Sequence, residues 1–289
     1  MLERPMKSLV LLATVLGLIA FTGVLAAEPA SPAVEVKFFL NPPTVLDAND
    51  RLNHALRKAF QVVKEPVTIR MQFLDGPGRE LHQEEWNIRF RKLQGNDHVE
   101  LTFKRRYPVD GPLEAALATA AREGFDAAEH EYEPELEWGY QKQTLTFANE
   151  KQAGDAELQN LNLPSAVDAR HLAAGDKMPD KLRHWKEEGW AHRILSGARV
   201  YGPVEGRRWR GRHAKIDDKI NIEVWALPTA NGTGTQPIVE ISFKKKEYDA
   251  DAMAQREKLR QFLKQKGWLL EKDELKTALI LERSGHPNR

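Results

Sequence analysis

The sequence predicts an α+β protein built on a closed or nearly closed antiparallel β-barrel of about eight strands, with helices packed outside it. Two patterns lead to this prediction. Several segments alternate charged and apolar residues with a period of two, which is typical of strands with one apolar face. Between these segments lie amphipathic helices, and such helices need an apolar surface to cover.

The clearest strands are two neighbouring segments, WNIRFRK at 86–92 and VELTFKRR at 99–106. In both, large apolar side chains alternate with charged or polar ones. Gly95 and Asn96 lie between the segments and tolerate positive φ. The two segments therefore form an antiparallel hairpin with one apolar face and one charged face.

The remaining elements follow from the same rules. Alternation predicts strands at 34–40, 67–75, 219–227 and 237–246, and weaker patterns predict strands within 129–147 and 192–216. Apolar spacing and helix-ending residues predict helices at 50–63, 112–123, 176–189 and 249–266. Residues 268–283 are expected to pack back on the barrel.

The orientation of the sheet follows from the number of helices. An ordinary sandwich buries its apolar faces and exposes its charged faces to solvent. Here the helices need those apolar faces, so the charged faces must line the opposite side, and closure into a barrel leaves no exposed edge. We therefore expect Arg89 and Lys104 to point into a lumen, with Ile88, Phe90 and Phe103 outside under helices.

The predicted lumen carries charges of both signs. Its basic residues are Lys37, Arg70, Arg89, Arg91, Lys104, Arg106, Lys244 and Lys246. Its acidic residues are Glu35, Glu100, Glu137, Glu223 and Glu240. Because clustered cations repel one another in a space of low dielectric constant, the positive surplus predicts an anionic ligand. Arginine suits phosphate, since its guanidinium group forms two parallel hydrogen bonds.

The chain resembles the CYTH, or triphosphate tunnel metalloenzyme, superfamily. The resemblance is that of a divergent, exported member. The resemblance rests on VEVKFFL, FLDGPGRELHQEEWNIRFRK and VELTFKRR, and on the closing segments IEVW and VEISFK with the helix that follows. It spans roughly Val34 to Arg283. Known members include inorganic and thiamine triphosphatases, RNA triphosphatases, polyphosphate polymerases and one class of adenylate cyclase.

The resemblance implies a tunnel in which basic residues bind a triphosphate and glutamates hold Mg²⁺ or Mn²⁺, metals that prefer oxygen ligands. By motif position, Glu35 and Lys37 match the last Glu and the Lys of an E-x-E-x-K signature and are the candidate catalytic residues. The candidate substrate-binding residues are Arg70, Arg89, Arg91, Lys104, Arg106 and Lys244. The candidate metal ligands are Glu35, Glu100, Glu137, Glu223 and Glu240.

Two departures bear on catalysis. Ala33 replaces the first Glu of the signature, and Ser242 follows Glu240 where the family has a second acid. Glu135 and Glu137 either compensate for these losses or are solvated loop charges. The sequence therefore predicts a protein that binds a triphosphate, polyphosphate or other phosphorylated anion, with metal-dependent phosphohydrolase activity undecided. The alternative is a non-catalytic polyanion-binding or structural envelope protein.

The first 27 residues have the layout of a secretory signal peptide, with a basic start, an apolar middle and a small-residue end. An uncleaved N-terminal anchor is the alternative, and only that form would contact a membrane. Residues 28–33 are then a linker, 34–283 the tunnel domain and 284–289 a disordered tail. A periplasmic or secreted location follows from either reading. The chain has no Cys, so it contains neither disulfides nor thiolate metal sites.

Composition excludes several other classes of protein. The net charge of +1 gives no overall attraction to nucleic acid, so no sequence-specific nucleic-acid partner is expected. The nine His residues include no H-E-x-x-H motif, so a zinc site is not expected. The chain has no G-x-S-x-G or Walker-type loop, which argues against a hydrolase nucleophile elbow and against a P-loop NTPase. With 289 residues and 41% hydrophobic content, the chain is long enough to form an adequate core by itself. A monomer is therefore expected.

Overall fold

The structure is a computed structural model that describes residues 27–153 and 161–284. The strands are Ala33–Leu40 (β1), Val67–Asp75 (β2), Trp86–Leu93 (β3), Val99–Val109 (β4), Glu133–Trp138 (β5), Gln143–Ala153 (β6), Arg199–His213 (β7), Ile216–Pro228 (β8), Thr235–Lys245 (β9) and Leu269–Leu270 (β10). The helices are Pro42–Val45 (α1), His54–Ala59 (α2), Glu80–Gln83 (α3), Leu113–Arg122 (α4), Ala166–Ala174 (α5), Asp180–Arg183 (α6), Trp190–Ser196 (α7), Ala250–Gln265 (α8) and Lys276–Arg283 (α9).

The strands close into a barrel in the order β1, β5, β6, β4, β3, β2, β7, β8 and β9, and β9 pairs again with β1. The pairing of β1 with β5 is parallel, whereas the other pairings in the ring are antiparallel. The short β10 pairs with the end of β1. The predicted class, an α+β barrel with helices outside, is confirmed, with nine strands in the ring and one parallel pair.

The main hydrophobic core lies between the barrel and the outer helices, as the charge argument predicted. Ile88, Phe90, Phe103 and Leu259 of α8 are fully buried in it, and Leu113 of α4 is largely buried. Burial of such side chains contributes roughly 1.5–3 kcal/mol each. The apolar faces of these strands therefore hold the helices against the barrel and leave the opposite faces to the lumen.

Two predicted helices are correct and two are not. α4 and α8 match the predictions at 112–123 and 249–266. The helix predicted at 50–63 is reduced to α2, because Asp50 and Gln61 adopt positive φ. The prediction of a helix at 176–189 is wrong, because only the short α6 forms there. Lys186 has a φ of 59°, which is incompatible with a continuous helix.

A second, smaller apolar cluster lies inside one end of the barrel. It contains Phe39, Ile69, Met71, Phe73, Tyr201, Val204, Trp225, Leu227, Ile238, Leu279, Ile280 and Leu281. The last three belong to α9, which packs against β7 and β8. Residues 268–283 thus pack back on the barrel as expected, and α9 buries its apolar residues against the inward face of the strands.

The predicted N-terminal segment lies outside the described residues, except for Ala27, and so does the predicted tail after Ser284. Within residues 27–153 and 161–284, no helix has the length and apolar character that crossing a membrane requires.

Candidate functional site: a charged lumen

The barrel encloses a cavity of about 740 Å³, which is within the usual range for small-molecule sites. Its basic lining residues are Lys37, Arg89, Arg91, Lys104, Arg106, Arg208, Lys244, Lys246 and Lys276. Its acidic lining residues are Glu35, Glu133, Glu135, Glu137, Glu150, Glu223, Glu240 and Glu274. Most residues predicted to face the lumen do so, and the structure adds Arg208, Lys276 and several acids to them.

Arg70 is the exception, and its predicted position in the lumen is wrong. In the β2–β3 register, Met71 pairs with Arg91 and Arg70 pairs with Lys92. Paired residues share a face of the sheet, and Arg91 and Met71 line the cavity. Arg70 therefore lies on the outer face, where its Nη1 donates to the Leu161 carbonyl at 3.4 Å. Arg70 lies outside because this end of the lumen is apolar, so the apolar face of β2 turns towards it.

One wall of the lumen is basic and is built by β3 and β4. Arg89 and Arg91 alternate along β3, and Lys104 and Arg106 alternate along β4. This spacing places all four side chains on the inner face. The hairpin predicted from the sequence is thus inverted as expected, with its charged face inside the barrel.

The arginines of this wall differ in how well they are neutralised. Arg91 forms a short ion pair with Glu100. Arg89 Nη2 donates to Thr102 Oγ1 at 3.0 Å, and its closest described carboxylate, that of Glu150, is 4.0 Å away. Burial and the neighbouring Arg91 lower the pKa of Arg89 to about 10. Arg89 thus remains a cation at neutral pH, held by weak partners.

Arg106 is the least neutralised of the wall. Its side chain is 8% exposed, and it forms no ion pair within residues 27–153 and 161–284. The Nε atoms of Arg89 and Arg106 are both buried without a hydrogen-bond acceptor in that part of the chain. A buried donor without a partner is costly, so the described residues leave these two arginines of the wall incompletely satisfied.

The facing wall carries three clustered carboxylates. Glu35 of β1 and Glu137 of β5 are paired in the parallel register, and Glu135 is paired with Ala33. One carboxylate oxygen from each of Glu35, Glu135 and Glu137 lies within 4.8 Å of the other two. Three converging carboxylates are a suitable oxygen donor set for Mg²⁺ or Mn²⁺. Sequence reasoning raised Glu135 only as a substitute, because the parallel pairing that brings it here was not predicted.

Lysines already neutralise part of the negative charge of this cluster. Lys37 Nζ lies 2.8 Å from Glu35 Oε2 and 3.4 Å from Glu137 Oε2, and Lys104 Nζ lies 2.9 Å from Glu137 Oε1. Glu135 forms an ion pair with Lys244 at the rim, where Lys244 is largely exposed. Any divalent ion that binds here must therefore displace ammonium groups from the carboxylates.

These contacts set the protonation states. Burial alone would raise the pKa of Glu137, but Lys104 and Lys37 hold it well below its usual value. Burial likewise opposes the ionisation of Glu35, yet Lys37 and Lys244 lower its pKa. Burial would lower the pKa of Lys37, but Glu137 and Glu35 raise it well above its ordinary value. Lys37 consequently keeps its proton and acts as a cation, not as a base.

The other predicted metal ligands lie elsewhere. Glu100 is held by Arg91 on the basic wall, whereas Glu223 and Glu240 face each other across β8 and β9. Among the described residues, none of these three belongs to the cluster of Glu35, Glu135 and Glu137. The set of five predicted ligands is thus not brought together at one point.

Solved structures of other proteins are similar to this architecture. A structure of a candidate adenylyl cyclase from Hippeastrum, described as revealing a dominant triphosphatase activity, matches 88% of this chain and 96% of its own, with 17% identity and a TM-score of 0.53. A candidate adenylate cyclase from Bacillus halodurans matches 88% and 98%, with 12% identity and a TM-score of 0.48. No protein-family model matches the sequence, and no curated protein does. The tunnel fold implied by the sequence resemblance is confirmed by the first of these structures.

Proposed function

Because this chain has the fold of the CYTH, or triphosphate tunnel, proteins, we propose that its lumen binds the triphosphate group of a small molecule or of polyphosphate and hydrolyses it with a divalent metal ion. One observation carries the proposal: a wall of incompletely neutralised arginines faces a cluster of three carboxylates across one lumen.

The basic wall performs the binding step. Arg89 and Arg106 offer buried N–H donors without acceptors among the described residues, and Arg91 and Lys104 extend the same face. In phosphoryl transfer, charge is spread over the peripheral oxygens of the transferred group, and fixed cations stabilise it. The wall therefore orients the phosphate chain and stabilises the charge that develops during transfer.

Glu35, Glu135 and Glu137 are the residues that would hold the metal ion. A bound Mg²⁺ or Mn²⁺ supplies charge neutralisation and orientation of phosphate oxygens. Glu35 and Glu137 are ionised at neutral pH because their pKa values are lowered by the neighbouring lysines. Lys37 lies between these two carboxylates, and a bound metal ion would compete with its ammonium group for them.

The test uses the purified full-length chain with tripolyphosphate, ATP and thiamine triphosphate, in Mg²⁺ or Mn²⁺. Phosphate release above an EDTA control is expected for at least one substrate, and it should be lost in the R106A variant. Release at the EDTA level with all substrates would rule out hydrolysis.

A non-catalytic polyanion-binding protein is the second candidate, and the lysines support it. Lys37, Lys104 and Lys244 already neutralise the three clustered carboxylates, so the lumen is stable without a metal ion. This candidate predicts that polyphosphate raises the melting temperature equally with and without EDTA. The hydrolytic candidate predicts that Mg²⁺ or Mn²⁺ changes that stabilisation.

We also propose that the protein works outside the cytoplasm. The basic start, apolar middle and small-residue end of residues 1–27 support this location. Fractionation of cells that express the tagged chain, together with mass determination of its N-terminus, would distinguish a cleaved signal peptide from an anchor or from retention in the cytoplasm.

A further inference from the structure

Lys276 is the first residue of α9, and it lines the lumen. Its Nζ lies 3.0 Å from Glu223 Oε2 and 3.3 Å from Glu240 Oε1. The same Nζ lies 4.5 Å from the centre of the Trp225 ring. The ammonium group is thus shared by two carboxylates and an aromatic face.

The two carboxylates require such a cation. Glu223 and Glu240 are directly paired across β8 and β9, and both are about nine-tenths buried. Like charges at this spacing destabilise a sheet, and a buried unpaired carboxylate is more costly still. Arg208 Nε contacts the other oxygen of Glu223 at 2.7 Å, whereas Glu240 has Lys276 as its only ion-pair partner in the described part of the chain.

The position of Lys276 is determined by the rest of its helix. Leu279, Ile280 and Leu281 follow it in α9 and are at most 9% exposed. They belong to the apolar cluster that fills this end of the barrel. Withdrawal of Lys276 with its helix would expose those side chains to water, at roughly 1.5–3 kcal/mol each. Lys276 is therefore a permanent part of the lumen wall.

We infer that Lys276 is a built-in cation that takes the place of a divalent metal ion between Glu223 and Glu240. The lumen consequently binds its metal only at the cluster of Glu35, Glu135 and Glu137. This inference rests on the proposed function for that first site, and it adds that the second acidic pair is neutralised by the protein itself.

The charge environment agrees with this assignment. Burial would raise the pKa of Glu223, but Lys276 and Arg208 hold it far below its ordinary value. Burial raises the pKa of Glu240 more than Lys276 lowers it. A metal ion between these two carboxylates would have to displace the ammonium group of Lys276 from both of them.

The test counts bound Mn²⁺ on the full-length chain by the electron paramagnetic resonance signal of free Mn²⁺. The K276M variant keeps an unbranched side chain of similar length and removes the ammonium group that lies over the Trp225 ring. It should bind one more Mn²⁺ per chain than the wild type, and the added ion should be lost again in K276M/E240Q. The matched control is K272M, since Lys272 pairs with Glu274 at 2.7 Å; this variant should bind as the wild type does.

A folded K276M protein with the wild-type number of bound Mn²⁺ ions overturns the inference. If K276M does not fold, crystals of the wild type soaked in Mn²⁺ give the second test. Anomalous density is expected at the cluster of Glu35, Glu135 and Glu137, with none between Glu223 and Glu240. Density ligated by Glu223 and Glu240 in the wild type overturns the inference. These counts of bound metal are independent of phosphate release, so the inference and the proposed hydrolysis can fail separately.

Discussion

Glu135 lies directly beside Ala33 in the parallel pairing of β1 with β5, and both residues line the lumen. The sequence signature has a carboxylate at position 33, which is absent here. The neighbouring strand places another carboxylate next to that position, within 4.8 Å of Glu35 and Glu137. An acid on β5 therefore lies beside the position that the signature fills with an acid on β1.

This relationship predicts a rescue experiment. The E135Q variant should bind Mn²⁺ roughly tenfold or more weakly, because one of three converging carboxylates loses its charge. Adding a carboxylate next to it, in A33E/E135Q, should recover most of the lost affinity. Isothermal titration calorimetry measures both changes.

The matched control is S31E/E135Q, since Ser31 also lines the lumen but precedes β1. It should not recover the affinity. Equal recovery by the substitutions at 31 and 33 would mean that added negative charge, and not its position beside Glu135, is responsible.

Replacement of single arginines compares the contributions of the inner and outer faces of the barrel to tripolyphosphate binding. R106A should weaken tripolyphosphate binding by roughly tenfold or more, because hydrogen bonds to charged groups contribute about 1.5–3 kcal/mol. R70A removes the same side chain from the outer face of β2 and should change the dissociation constant less than about twofold. Calorimetric titration in EDTA measures the contribution of the protein alone. Equal losses in the two variants would contradict the assignment of these faces.

Acid should destabilise the protein through its lumen carboxylates. The folded-state pKa values of Glu137 and Glu223 lie below the ordinary 4.5. Their stabilisation is therefore fully present above that pH and is lost as the pH falls through the folded values, by about 1.4 kcal/mol per unit of lowering. Glu240 acts in the opposite direction, because burial raises its pKa and its contribution is largest in acid.

Urea unfolding between pH 7 and pH 3 measures this dependence. The free energy of unfolding should fall below about pH 4.5 in the wild type, and the E223Q variant should show a shallower fall because one of these groups no longer titrates. A variant with the same slope as the wild type would show that Glu223 does not contribute.

Close packing at Gly206 gives a prediction about stability. A Cβ atom at this position would lie 2.6 Å from the Trp225 ring, and the Nε1 of that ring donates to Glu223 at 2.7 Å. The G206A variant should therefore lose about 1–3 kcal/mol through displacement of the ring. G111A is the control, because a Cβ at Gly111 would meet nothing within 4 Å. Urea unfolding should show G111A within about 1 kcal/mol of the wild type.

Much of the barrel could be predicted because alternation determines which residues of one strand share a face. The pairs Arg89 with Arg91 and Lys104 with Arg106 follow directly from a period of two, and so does their separation from Phe90. The helices α4 and α8 were also predictable, because their apolar spacing and terminal residues agree. These features depend on neighbours along the chain.

The sequence by itself thus determined the charged faces, the inverted barrel and the basic wall of its lumen. Only the tertiary structure decided which face of β2 turns inward, and it placed Arg70 outside because α9 fills that end of the lumen with apolar side chains. It also decided that β1 pairs in parallel with β5, which brings Glu135 beside Ala33. Period-2 alternation relates residues within a strand, whereas the choice of partner strand and of the covering helix depends on contacts between residues far apart in the chain.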